Sequence, residues 1–279
     1  MPWTPAQRRL LFAYDADLPL DVSLPAVSER DGLRVEHFSF ASTHQQRVPA
    51  VLYRPAESLR VPLVVVGHGA GGGKDEGLMT SLLTRMSALG AAVLAIDAPL
   101  HGERQGRFED LRGLLQQPIR GLHFVVQTVV DTMRAVDWAA TRPNLDTTRL
   151  AYLGLSMGSI LGVPFVALDE RVRAACFALG GAGIMHFISG LAAPAVRADA
   201  ERVAEAVDPM HYAPLIAPRP VLMVNGLRDQ IIPAAAGHVL FGLLGEPKRI
   251  IWYDGGHGDI PRDTADEMRA FFASHLAQG

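Results

Sequence analysis

Gly154-Leu155-Ser156-Met157-Gly158 sets a serine between two glycines, just after an apolar run ending Ala151-Tyr152-Leu153 and before a second apolar stretch. A serine hydroxyl is a weak nucleophile and attacks a carbonyl only when a base takes its proton. The G-x-S-x-G spacing, read as strand, turn and helix, supplies a sharp turn that lifts the hydroxyl above a sheet. Small residues on either side let the neighbouring backbone come close, and the turn aims the N–H of Met157 at the same space. A glycine-rich turn with a capping serine would look the same in isolation. The residues that could serve the hydroxyl therefore decide the reading.

An imidazole and a carboxylate are needed, in the chain order serine, acid, histidine for a site of this geometry. Asp229 follows the run Pro220–Asn225, and His257 follows Ile250–Asp254 within Gly255-Gly256-His257-Gly258-Asp259. His257 is the expected general base, and Asp229 the residue that orients the imidazole and stabilises its charged form. Each could separately be a turn residue. Three such residues in the right order, each beyond a predicted strand, make coincidence a poor explanation. Asp254 and Asp259 compete for the acid role. The first lies at the end of the histidine's own strand, and the second is only two residues beyond His257.

Acyl transfer also needs donors for a tetrahedral oxyanion. The run Val66-Gly67-His68-Gly69-Ala70-Gly71-Gly72-Gly73 offers backbone N–H groups after an apolar strand. The expected pair is the amides of Ala70 and Met157, with Gly71 as the substitute for Ala70. A phosphate-binding loop fits poorly, because no Ser or Thr follows Lys74 and the glycine spacing is wrong. His68 reads as a brace for the loop. Asp97 through Arg104 reads as a second loop beside the site, tied down by Asp97 and Arg104, with His101 either structural or lining the pocket. Cys176, the only cysteine, sits mid-strand in Ala174–Leu179 and reads as core. His123, His186 and His211 show no convincing metal spacing with carboxylates, so no metal is assigned.

These residues must be positioned by alternating elements. Residues 34–54 read as an antiparallel hairpin around Ser42–Gln46. Short apolar strands at Leu63–Val66, Ala91–Ile96, Arg149–Gly154, Val172–Leu179, Pro220–Asn225 and Arg249–Tyr253 alternate with helices near 77–89, 122–141, 156–168, 234–243 and 262–276. Pro164 predicts a bend or a late start in the third helix. This alternation predicts a mostly parallel sheet covered on both faces, with chemistry at the carboxyl ends of its strands. Residues 101–121 and 181–218, the latter with a helical stretch near 195–207, break the alternation and are lid candidates on a single domain spanning 1–279. Phe108, Met185, Phe187, Leu191, Met210 and Tyr212 are candidates for an acyl pocket or for packing the lid.

Taken together, HGAGGG, DAPLHGER, GLSMG, NGLRDQIIP and GGHGD resemble the α/β-hydrolase superfamily, and within it the dienelactone-hydrolase-related and prolyl-oligopeptidase-like esterases. The resemblance runs from about residue 34 to the C-terminus. It includes Asp208-Pro209, Tyr212-Ala213-Pro214 and Ala217-Pro218-Arg219-Pro220. It implies an α/β-hydrolase fold and cofactor-free hydrolysis of a small-molecule carboxylic ester through an acyl-enzyme on Ser156, with Asp229 and His257. Dienelactone hydrolase carries a cysteine where this chain has Ser156, which argues against that reaction. Prolyl oligopeptidases carry a propeller domain for which this chain has no room. An aspartate nucleophile, as in dehalogenases and epoxide hydrolases, is absent. A thioesterase, peptidase or acyltransferase with the same triad remains an alternative, as does a non-catalytic binding protein of this fold.

Composition sets the outer bounds. Half the residues are apolar (49%), 20% are charged and the net charge is −3. Neither nucleic acid nor an anionic membrane is expected as a partner. Asp15 and Asp17 interrupt the N-terminal apolar stretch before it could serve as a signal core, and no run approaches the roughly 18 apolar residues that span a bilayer. A cytoplasmic location is the expectation.

Overall fold

Period-two alternation splits each central strand between two cores. In β4 (Val61–Gly67), Leu63 and Val65 pack on one side of the sheet, Val64 and Val66 on the other. β5 (Ala92–Ile96) and β6 (Leu145–Leu155) divide in the same way, with Leu94 and Tyr152 opposite Val93 and Leu153. A strand buried on both faces must be covered twice, and the helices do this. The computed structural model describes residues 3–56, 60–104, 110 and 113–277.

Among these residues the strands form one sheet in the order β1-β2-β3-β5-β4-β6-β7-β8-β9. β1 (Ala26–Arg30), β2 (Leu33–Ala41) and β3 (Arg47–Pro55) make an antiparallel meander that joins β5. From β5 onward the pairs are parallel, through β7 (Val172–Ala178), β8 (Val221–Gly226) and β9 (Lys248–Tyr253). α2 (Leu78–Ser87) and α8 (Arg262–Leu276) cover one face. α3 (Pro118–Ala140), α4 (Met157–Leu168) and α7 (Ala234–Leu243) cover the other. The hairpin, the parallel strands and the late helices lie close to where the sequence puts them. β6 begins earlier, at Leu145, and α3 begins earlier, at Pro118, whose lack of an N–H suits the first helical position.

Pro164 neither delays α4 nor ends it. The helix starts at Met157 and runs to Leu168, with residues 158–167 all buried. Packing on every side outweighs the cost of one missing hydrogen bond and a ring clash, about 3 kcal/mol. Sequence reading missed β1 and α1 (Pro5–Leu11). α1 opens with a capping box in which Thr4 accepts from the Gln7 amide and the Gln7 side chain accepts from the Thr4 amide. The chain between α1 and β1 is held by Arg134 of α3. This fully buried guanidinium donates to the carbonyls of Ala16, Leu18, Pro19 and Ala41.

After β7 the chain builds α5 (Ile184–Ser189), α6 (Arg197–Val207) and 3-10 turns at Pro209–His211 and Ala213–Leu215. Buried Asp208 organises this stretch. One carboxylate oxygen accepts from the amides of Gly183 and Met210, the other from Met185. α6 packs on both α5 and α3. Of the segment 101–121, a 3-10 turn at Gly102–Arg104 and the start of α3 are defined. Phe108 and the side chain of Phe187 lie outside the described residues. No helix among the described residues is long and apolar enough to cross a membrane.

Candidate active site

β6 ends at Leu155 and α4 begins at Met157, so the reversal falls on Ser156, at φ 52° and ψ −112°. Residues with a Cβ avoid this region, and holding one there costs about 1–3 kcal/mol. The surroundings enforce it. The Ser156 amide donates to Ala178 O at 2.9 Å, the Gly158 amide to His68 O at 3.0 Å, and the Tyr152 hydroxyl to Gly158 O at 2.6 Å. A Cβ on Gly158 would meet Gly67 Cα at 2.8 Å, and one on Gly154 would meet Ser159 Cα at 2.6 Å. The two glycines of the motif are therefore steric requirements.

The loops after β8 and β9 bring Asp229 and His257 to this hydroxyl. His257 Nε2 lies 2.9 Å from Ser156 Oγ, and His257 Nδ1 lies 2.7 Å from Asp229 Oδ2. A carboxylate only accepts, so Nδ1 carries the proton and Nε2 is left to accept from the hydroxyl. The other Asp229 oxygen accepts from the amides of Ile231 and Ile232, at 2.8 and 2.9 Å. Asp229 is thus a turn residue and a histidine partner at once. The Arg228 amide donates to Gly255 O, the Leu227 amide to Tyr253 O, and the Tyr253 hydroxyl to Gly256 O at 2.8 Å, so the two loops brace each other. Burial pushes the Tyr253 phenol up to about 12, which keeps it a neutral donor. Asp254 is exposed and pairs with Arg228. Asp259 caps the Gly256 amide at 3.0 Å. Neither reaches His257.

Gly69 to Gly72 forms a turn closed by Gly72 N–H to Gly69 O at 3.2 Å, with Gly71 at φ 76° in the position that requires glycine. Ala70 precedes it and lines the space in front of Ser156, as does Met157. Met157 is the first residue of α4, where an amide has no intrahelical acceptor. His68 braces the loop: Nε2 accepts from the Ala98 amide at 3.1 Å and Nδ1 donates to Gly69 O at 2.9 Å. Burial lowers its pKa to about 4. Asp97 accepts from the Lys74 amide and ammonium and from the Glu103 amide, joining the two loops. Burial works against the Lys74 charge, but Glu103 and Asp97 outweigh it and hold its pKa above the usual value. Arg104 reaches Asp97 O and Asp131. His101 is buried and donates to Pro99 O.

A cavity of about 370 Å³ opens beside Ser156. Its walls are Phe124 and Val125 of α3, Ile160 and Leu161 of α4, Ile184, Met185 and Ile188 of α5, and Val203 and Val207 of α6, with Ile231 and Ile232 from the loop after β8. Of the sequence candidates for such a pocket, Met185 and Leu191 line it. Met210 and Tyr212 do not: Met210 packs half-buried against the core, and Tyr212 is buried in it, where its hydroxyl donates to Ala206 O. His101 does not line it either. Sequence reading missed the walls from α3 and α4 and the Ile231-Ile232 pair, which looks in sequence like ordinary core. It also missed the approach of His186, Glu205 and His211, which come from three separate elements.

The parallel sheet, the strained strand-to-helix turn and loops converging on the strand ends define the α/β-hydrolase fold. Comparison with known proteins carries the class further. The chain belongs to the acetyl xylan esterase (AXE1) family, whose model matches residues 14–179, and it is a carboxylic ester hydrolase. It is 26% identical over 247 residues to the Bacillus subtilis protein YtaP, named as a hydrolase, covering 82% of each chain. The structure of an acetyl xylan esterase from Paenibacillus sp. R4 superposes with a TM-score of 0.78 at 19% identity, over 97% of this chain and 93% of that one. Acetyl xylan esterase 1 from Thermoanaerobacterium sp. JW/SL YS485 gives 0.72 at 16% identity, over 99% of both. At these identities the two structures speak for the fold.

Proposed function

We propose that this chain is a serine carboxylesterase in which Ser156, His257 and Asp229 form the catalytic triad. The observation that carries the reading is the unbroken line from Ser156 Oγ to His257 Nε2 and from Nδ1 to Asp229, at 2.9 and 2.7 Å. Ser156 Oγ bonds to the ester carbonyl carbon as His257 takes its proton. The amides of Ala70 and Met157 hold the oxyanion, each worth about 3 kcal/mol in the transition state. The tetrahedral species collapses, the C–O bond to the alcohol breaks, and the alkoxide leaves with the proton from His257. Water then repeats the sequence and frees the acid. No cofactor takes part.

The substrates proposed are small to medium esters, free small molecules in the cytoplasm. Relatives named acetyl xylan esterases point to short acyl groups. The apolar walls beside Ser156 support acyl chains of several carbons as well. The segment 181–218 is read as a lid on a single domain, since α5 and α6 form one side of that cavity. Thioester, peptide and acyl-transfer chemistry would use the same three residues, and the comparisons favour esters. Hydrolysis of p-nitrophenyl butyrate by the wild type and by Ser156→Ala tests the proposal. A fall in kcat of about 10⁵-fold or more is expected; equal rates would remove the triad assignment.

A further inference from the structure

We propose that the segment after β7 carries a binding site for one divalent transition-metal ion of the zinc class, formed by His186, Glu205 and His211. His186 belongs to α5, Glu205 to α6 and His211 to the turn Pro209–His211. His186 Nε2 and His211 Nε2 lie 3.5 and 3.3 Å from the same oxygen, Glu205 Oε2, and one ligand atom of each residue lies within 4.8 Å of the other two. Tetrahedral zinc with bonds of about 2.0–2.1 Å separates its ligand atoms by about 3.3–3.4 Å. The two measured edges are those of such a tetrahedron. Two imidazoles and one carboxylate are also a recurrent zinc ligand set, with the fourth position left to water.

The surroundings prepare the ligands. Arg8 Nη2 donates to Glu205 Oε1 at 2.6 Å, and Arg8 Nε and Nη2 donate to the Glu205 carbonyl. This fixes the carboxylate with Oε2 towards the two imidazoles, as outer-shell partners of metal ligands do. His211 Nε2 is shielded from solvent, makes no aligned hydrogen bond, and faces Glu205 Oε2 at 3.3 Å. Glu201, one turn before Glu205, lines the same open cleft, as does Arg202.

The cleft and the apolar cavity use opposite sides of the same helix. On α6, Ala198, Glu201, Arg202 and Glu205 line the cleft, while Ala200, Val203, Ala204 and Val207 line the cavity. An ion there would tie α5, α6 and the following turn together behind the cavity wall without touching Ser156. Binding only to the folded state would raise stability by mass action.

The test is titration of the chelator-treated full-length protein with Zn²⁺ by calorimetry and with Co²⁺ by visible absorption. Expected are one saturable site per chain, the intense bands of tetrahedral cobalt, and a Tm that rises with zinc. His186→Ala, at a partly exposed position, and His211→Ala should each weaken binding by at least about tenfold and reduce the zinc-dependent rise in Tm. Absence of saturable binding, or equal binding by wild type and by the His186→Ala variant with native circular dichroism, overturns the proposal and leaves a His–Glu ion-pair cluster. Ester hydrolysis by the metal-free protein reports on Ser156 separately, so the two readings fail independently.

Discussion

Ser156 sits in a backbone conformation that no side chain prefers, and the residues that hold it there are themselves testable. Gly158→Ala would force its methyl into the Gly67 backbone. We expect a loss of about 1–3 kcal/mol, the usual cost of overpacking, read as a lower urea midpoint, together with a collapse of esterase activity as the turn shifts. His68 gives a prediction in pH. Burial holds its folded pKa near 4, below the ordinary value of about 6.5. Between these values the unfolded chain binds the extra proton, so stability is full above about pH 6.5 and falls as pH drops towards 4. Linkage gives a loss of about 2 kcal/mol by pH 5 from this residue. Urea unfolding at both pH values checks it: His68→Asn should lose correspondingly less on acidification than the wild type, and an equal loss in both would contradict the account.

At the scale of elements, α3 does two jobs. Its Phe124 and Val125 wall the cavity, and its Arg134 ties the chain between α1 and β1 to the end of β2 through four carbonyls. Arg134→Met should leave those acceptors unpaired, each at about 1–3 kcal/mol where buried, and limited proteolysis should cut between residues 12 and 25 faster than in the wild type. The elements that could be read from sequence are those with a strong pattern: central strands such as Leu63–Val66, and helices with apolar spacing such as 262–276. β1 escaped because all its residues are exposed, so burial imposes no alternation on it. α4 was legible but its continuity through Pro164 was not, because tertiary packing decides it. The candidate triad was legible because each member follows a strand within a short signature. The cavity walls and the His186–Glu205–His211 cluster were not, since they exist only once α5, α6 and the next turn have packed.

At the scale of the whole molecule, the helices packed on the sheet and the segment after β7 together make the cavity, so the proposed acyl preference would belong to their assembly. Each methylene that leaves water for such a wall contributes about 0.8 kcal/mol. In a p-nitrophenyl ester series, kcat/KM should therefore rise about fourfold per carbon until the cavity is filled, and then fall. A flat series from acetate to octanoate would show that this cavity does not take the acyl group. Val203→Trp, which fills it from α6, should shift the optimum to shorter chains. On this reading Ser156 is the nucleophile, activated by His257. The most direct test is mass spectrometry of the protein after reaction with a fluorophosphonate. One adduct is expected, located on Ser156, lost in Ser156→Ala and formed far more slowly in His257→Ala. An adduct on a different residue, or undiminished ester hydrolysis by protein that carries the adduct on Ser156, would contradict this reading.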